Sequence, residues 1–177
     1  MNVLLEGSGA PAFEAKTLAG ETPNSAEALA RGPLLLCFAM PEIHASRLAV
    51  GYLRRLQERL PGLAVWLVLQ GEAAAVRAYA EGYLGGLTVI HDEGLELSRL
   101  YAVTHVPAVY YLENTESGEA QIRLAFTGFS RPALNRLAGL AAAATGAKAQ
   151  ELIGPSDNKG EYELAERALS APRTEPG

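Results

Sequence analysis

The sequence predicts an α/β fold on a mixed sheet, and three observations carry that prediction. Two continuous apolar runs, residues 34–39 and 64–69, read as strands, and the stretch between them places Leu48, Tyr52, Leu53, Leu56 and Leu60 at three- and four-residue spacing. Strand, helix and strand in that order imply a βαβ unit with a right-handed crossover. After Pro107 the order changes: two further strand-like runs, residues 108–112 and 121–127, flank Asn114-Thr115-Glu116-Ser117-Gly118 and read as an antiparallel hairpin.

Taken in order, residues 11–20 alternate in polarity and then turn. Asn24 or Ser25 is placed to cap a short helix over residues 26–29, because either side chain accepts hydrogen bonds from free helical amides. The strand at 34–39 leads through Met40-Pro41-Glu42 into the long helix, whose apolar stripe is what a helix lying on a sheet needs, and Pro61-Gly62 ends it. Its charged residues, Arg47, Arg54, Arg55, Glu58 and Arg59, read as a solvated face. A strand at 64–69, a helix at 72–81, a strand at 87–90 and a helix at 95–101 follow, and a last helix over 132–145 packs back through Leu134, Leu137 and Leu140. The alanine runs 73–75 and 141–144 read as tight helix packing. Gly82, Gly85 and Gly86 are turn residues; no glycine cluster sits between strand and helix, where a phosphate loop would require one. No internal repeat is present.

Residues 1–146 read as one domain. From about Gly146 the composition shifts, residues 154–160 form a turn-rich linker, and residues 161–169 predict a short helix with Tyr162, Ala165 and Leu169 on one face before the last six residues fray. Residues 147–177 therefore read as a partly flexible C-terminal appendage, too polar to form a domain, that is either mobile or docked on its own domain or on a second subunit.

A chain of 177 residues buries about 70% of its unfolded surface. A net charge of −5 favours solubility and argues against non-specific nucleic-acid binding. There is no run of about 18 apolar residues to span a membrane. The start, Met1-Asn2-Val3-Leu4-Leu5-Glu6, lacks the basic region and hydrophobic stretch of a signal peptide, so the chain as given reads as cytoplasmic, or as exported if a leader segment has been removed. No cofactor or metal is predicted, and the oligomeric state is not legible.

The junction of the first apolar strand with the long helix, Phe38-Ala39-Met40-Pro41-Glu42-Ile43-His44-Ala45-Ser46, carries the most information. With Asp92-Glu93-Gly94 and the spacing Tyr101-x-Val103-x-x-x-Pro107, it resembles the thioredoxin-like proteins over about residues 8–146, in the branch of redoxins related to thiol-disulfide reductases and peroxiredoxins. Laid without gaps on the family pattern Asp-Phe-Trp-Ala-x-Trp-Cys-x-x-Cys, Phe38 meets the phenylalanine, Ile43 the first cysteine and Ser46 the second. The resemblance implies a thioredoxin-like fold with a central mixed β-sheet, helices on both faces and an N-terminal β-hairpin. It also implies a cis bond before Pro107 and vacated redox positions at Ile43 and Ser46.

That motif needs sulfur for a physical reason. At the first turn of a helix, unpaired amides and the dipole lower a thiol pKa from about 8.5 toward 7, and the second cysteine resolves the mixed disulfide. Ile43 cannot ionise and Ser46 cannot exchange electrons, which excludes disulfide exchange and peroxide reduction at this position. Ser46 is expected to satisfy backbone amides; as a nucleophile it would need an oxyanion hole and a base, for which only His44 is in sight. Cys37, the one cysteine, falls where thioredoxins keep a buried acid. It reads as a small buried hydrophobe, or as a functional thiol if it is exposed beside positive charge. His44 and His105, with Glu42 near in sequence, are weak candidates for an acid-base pair or an incomplete zinc site, against the reading as solvated surface histidines. His91 shows no partner.

In relatives the backbone beside the proline pairs with an extended polypeptide. The resemblance thus implies a protein- or peptide-binding surface of His44, Ala45, Thr104, His105, Val106 and Pro107, working by strand addition. The alternatives are an oxidoreductase or antioxidant redoxin using Cys37, a non-redox catalyst using His44 and His105, and a structural subunit paired through the long helix or the tail.

Overall fold

Apolar runs without alternation belong to strands covered on both faces, and the strand at Leu34–Ala39 (β1) is buried along its whole length. The computed structural model describes residues 4–157 and 159–173; of the six residues predicted to fray, 172–177, the last four lie outside the described residues, as do residues 1–3 and 158. In chain order the elements are α1 (Ser25–Arg31), β1, α2 (His44–Arg59), β2 (Ala64–Leu69), α3 (Ala73–Tyr83), β3 (Thr88–His91) and α4 (Glu96–Leu100). They continue with β4 (His105–Val106), β5 (Ala108–Asn114), β6 (Ala120–Thr127), β7 (Phe129–Ser130), α5 (Arg131–Thr145), β8 (Tyr162–Glu163) and β9 (Glu166–Arg167).

The main sheet has the order β3-β2-β1-β5-β6. β1 runs parallel to β2 and β2 to β3, whereas β5 is antiparallel to both β1 and β6, so the sheet is mixed as the element order predicts. Helices lie on both faces. Phe38 packs its ring 5.6 Å from that of Tyr101, at the end of α4, and 5.8 Å from that of Tyr110. Its neighbour Cys37 points to the opposite face, within electrostatic reach of Tyr79 in α3. Tyr52, Leu53, Leu56 and Leu60 of the predicted stripe are buried and Leu48 is partly so.

Local signals act as chemistry requires. Asn24 caps α1, its Oδ1 accepting from the Glu27 amide at 3.1 Å, and Ser130 caps α5 by accepting from Ala133. Of the two residues able to cap α1, Ser25 is instead spent on the Phe13 amide. The N-terminal hairpin is present in reduced form. Residues 13–25 fold back through Ser25–Phe13, Ala15–Pro23 and Thr17–Glu21 backbone bonds, with one bridge, Glu14↔Asn24. The same segment touches both sheet edges, pairing Gly9 with Gln121 of β6 and donating from Leu18 to Val89 of β3. Such cover blunts exposed strand edges.

Two expectations need correction. The helix predicted over residues 161–169 does not form. A helix that short is marginal on its own, and the segment pairs its backbone instead with β7, through Phe129↔Glu163 and Ser130↔Tyr162, and with β4, through His105↔Arg167 and Val106↔Glu166. The charged face of α2 is also not merely solvated. Arg55 donates to the Leu152 carbonyl and pairs with Asp157 at 2.8 Å, and Arg59 donates to the Glu151 carbonyl. Those bonds hold residues 151–157 against α2, where Leu152 and Ile153 enter the core.

Candidate functional site

The start of α2 is built by a tight turn after β1. The Ile43 amide donates to the Met40 carbonyl, Ile43 stays extended as the residue before the helix, and the Arg47 amide makes the first helical bond back to Ile43. Ile43 has no side-chain donor or acceptor to cap the helix and is buried in the core instead. Ser46, buried in the first turn, accepts from the Met40 amide at 3.2 Å, which is the amide-satisfying role its position predicts. The first turn holds no acidic residue of its own. The carboxylate of Glu163 comes to it from the C-terminal segment, 2.7 Å from Nδ1 of the exposed His44, where negative charge also suits the helix dipole.

The second component is the strand before Pro107. The Val106–Pro107 peptide is cis, and the Gly128 amide donates to the Pro107 carbonyl at 2.8 Å. Val106 is buried, whereas Thr104 and His105 reach the surface, joined by a 3.0 Å bond between Thr104 Oγ1 and His105 Nδ1. β4 pairs with β9, and beyond it the Ala168 amide donates to the Thr104 carbonyl at 2.9 Å. On the other side of the same segment, Arg131 donates to the Glu161 carbonyl. Between these two strips lies Gly128, with φ +78°; a Cβ there would stand 2.6 Å from the Glu163 carbonyl oxygen and 3.0 Å from the Ala165 nitrogen. Only glycine permits that approach.

A buried polar relay completes the site. Asp92 accepts from the Leu97 and Ser98 amides and from the Ser98 hydroxyl. The fully buried Gln70 donates to Ser98 at 2.8 Å and to Ser170 at 2.9 Å, and its carbonyl accepts from the Leu169 amide at 2.8 Å. Ser170 in turn donates to the Val103 carbonyl.

The candidate residues divide accordingly. His44 is bonded to Glu163 and His105 to Thr104, so the two histidines have separate partners. Among the described residues no group of three His, Cys, Asp or Glu side chains could hold a metal ion. His91, for which the sequence shows no partner, bonds through Nε2 to the Gly71 carbonyl at 2.8 Å. Cys37 is fully buried, and desolvation pushes its thiol up to about 12. Thr104, His105, Val106 and His44 all meet the C-terminal segment, with Ala45 buried behind the helix start and Pro107 bonded to Gly128. Sequence reasoning missed Gln70, Gly128 and the segment itself. Gln70 carried a signal, as the first polar residue after an apolar strand, at the carboxyl end where open α/β sheets place ligands.

Neither a protein-family model nor a curated protein sequence matches the chain. Solved structures do. The thioredoxin domain of a thiol-disulfide oxidoreductase from Bacteroides vulgatus matches with a TM-score of 0.65 at 15% identity, over 78% of this chain and 99% of that one. A secreted Mycobacterium tuberculosis disulfide oxidoreductase homologous to DsbE of E. coli matches with a TM-score of 0.59 at 20% identity, over 74% and 95%. A hypothetical protein from Sinorhizobium meliloti 1021 matches with a TM-score of 0.64 at 17% identity over 94% of both chains, an extent that reaches well into the segment after Thr145. Together with the mixed sheet, these likenesses show that the chain has the thioredoxin-like fold.

Proposed function

We propose that this protein is a binding module on a thioredoxin-like fold, in which Ile43 and Ser46 stand at the positions of the redox cysteines and the surface around them binds extended polypeptide. One observation carries the reading: the two-residue strand β4, beside Pro107, takes an antiparallel partner strand, which is the geometry of recognition by strand addition. The surrounding surface suits that role, with His44 and His105 exposed beside buried Ala45 and Val106. The chemistry of the neighbouring folds needs a thiolate at the helix start, and here the first turn offers an aliphatic side chain and a hydroxyl already engaged with Met40. Cys37 does not replace it, because a buried thiol pushed up to about 12 is neither ionised nor accessible.

The test pairs two measurements on the full chain. An arrayed set of extended peptides, followed by amide shifts, is expected to perturb Thr104, His105 and Val106 together with His44. Insulin disulfides are expected to stay intact in the presence of dithiothreitol beyond the background rate. Peptide-induced shifts confined to another face, or catalysed insulin reduction, would overturn the reading.

A further inference from the structure

We propose that residues 161–170 are a tethered ligand of this same surface, and that its external ligands are extended peptides of the same pattern, admitted only when the segment is displaced. The inference rests on the binding-module reading and adds what occupies the site and what it selects.

Four features distinguish a bound peptide from ordinary packing. The segment is extended and bonded through its backbone on both sides, to β7 by β8 and to β4 by β9. The wall it crosses is cut to backbone thickness at Gly128, where any side chain would meet the Glu163 carbonyl and the Ala165 nitrogen. A fully buried side chain, Gln70, spends its carbonyl on the main-chain amide of Leu169 and its amide on the Ser170 hydroxyl, so a polar group closed off from solvent is satisfied by the segment. Finally, the segment gives the core little. Ala168 is buried, but its large apolar side chains point outward, with Tyr162 66%, Leu164 86% and Leu169 55% exposed.

That last point separates the segment from its own anchor. Leu152 and Ile153 are buried, and Asn135 grips Ile153 twice, donating to its carbonyl at 3.1 Å and accepting from its amide at 2.8 Å. The anchor is therefore held by apolar burial as well as by hydrogen bonds, and the strap beyond it mainly by exchangeable hydrogen bonds. A strap of that kind opens without unfolding the sheet.

The occupied groove also shows its preferences. An acidic residue at the place of Glu163 meets His44, and five residues later the place of Ala168 admits only a small side chain. The places of Leu164 and Glu166 are exposed and impose little.

The test uses a fluorescein-labelled peptide with the sequence of residues 159–173 and the full chain, either unaltered or carrying Ala168→Arg to unseat its own strap. A tethered copy competes at an effective concentration of order millimolar, so the variant is expected to bind the peptide at least about tenfold more tightly than the unaltered chain. Adding Gly128→Val to the variant is expected to abolish binding, as is placing Ala168→Arg in the peptide, whereas Glu163→Lys in the peptide, which loses only an exposed pair, is expected to weaken binding by about several-fold. Equal binding to both chains, or binding that survives Gly128→Val, would overturn the proposal. If the folded variant binds other extended peptides but not this one, the tethered-ligand inference fails alone; if it binds none, the binding-module reading fails with it. Hydrogen exchange on the unaltered chain gives a second test that needs no variant. The Ala168 and Leu169 amides should exchange at least about tenfold faster than those of β1, by opening of the strap alone. Exchange in step with β1, or no protection at all, would show that the segment is either core or undocked and would overturn the proposal.

Discussion

The first turn of α2 and strand β4 are touched by the same C-terminal segment, yet they have opposite characters. The helix start is closed on itself: Ile43 is buried, and the Ser46 hydroxyl is spent on Met40 six residues earlier. Among the described residues, β4 is closed by residues about sixty positions away, through backbone groups that any extended chain carries. Under the binding role proposed above, the difference teaches that reactivity and recognition are separable on this fold. Reactivity would need two particular side chains at the helix start, whereas recognition would need only main-chain donors and acceptors that substitution does not remove.

The largest expected effect concerns the one sulfur. With burial raising its thiol to about 12, Cys37 is protonated throughout the neutral range. At pH 8 its thiolate fraction is roughly three orders of magnitude below that of a free thiol with the usual pKa of about 8.5. Native labelling should be negligible and should become rapid in denaturant; fast native labelling would return reactivity to the core of the sheet.

Restoring sulfur to the helix start is the next test. Ile43→Cys with Ser46→Cys places thiols one turn apart, and the dipole should raise the reactive fraction of the first at pH 7 by about tenfold. An intramolecular disulfide and weak insulin reductase activity are expected. A folded double variant whose sulfurs do not pair would break the correspondence between these positions and the redox motif.

Stability should divide along the same line. Ser46→Ala strands the Met40 amide, a loss of about 1–3 kcal/mol read from the denaturant midpoint. His44→Ala removes an exposed pair with Glu163 and should cost under about 1 kcal/mol. Equal losses would mean that the helix start is no more self-contained than the surface beside it.

The smallest effect is acid sensitivity of the anchor. The hydrogen bond from Arg55, with help from the Gly154 amide, holds the Asp157 carboxyl below its ordinary value. A lowered carboxyl stabilises the folded state above the unfolded value of about 3.9, and that contribution fades as pH falls through the lowered one. Acid titration should therefore loosen residues 151–157 only below about pH 4, and Arg55→Leu should remove that step.

Much of the frame was legible because it is written in side chains. The apolar runs of β1 and β2, the stripe of α2, the cap at Asn24 and the hairpin of β5 and β6 each have local causes. The C-terminal segment was not legible. Tyr162, Ala165 and Leu169 have helical spacing, and nothing local shows that backbone at β4 and β7 would outbid a marginal helix. Gln70 and Gly128 were missed for the same reason, since their roles depend on a strand that arrives from far along the chain. Ile43 and Ser46 stood out only against a family pattern, as an expected chemistry that their side chains cannot perform.

The Val106–Glu166 pairing also sets an order in time. The chain is synthesised from its N-terminus at about 5–20 residues per second, so β4 leaves the ribosome about 3–12 seconds before β9 exists to meet it. Every newly made molecule thus passes through an interval in which the donors and acceptors of β4 have no partner from their own chain. Whatever extended polypeptide is nearby at birth, including other nascent chains and chaperones, meets this protein with that edge open.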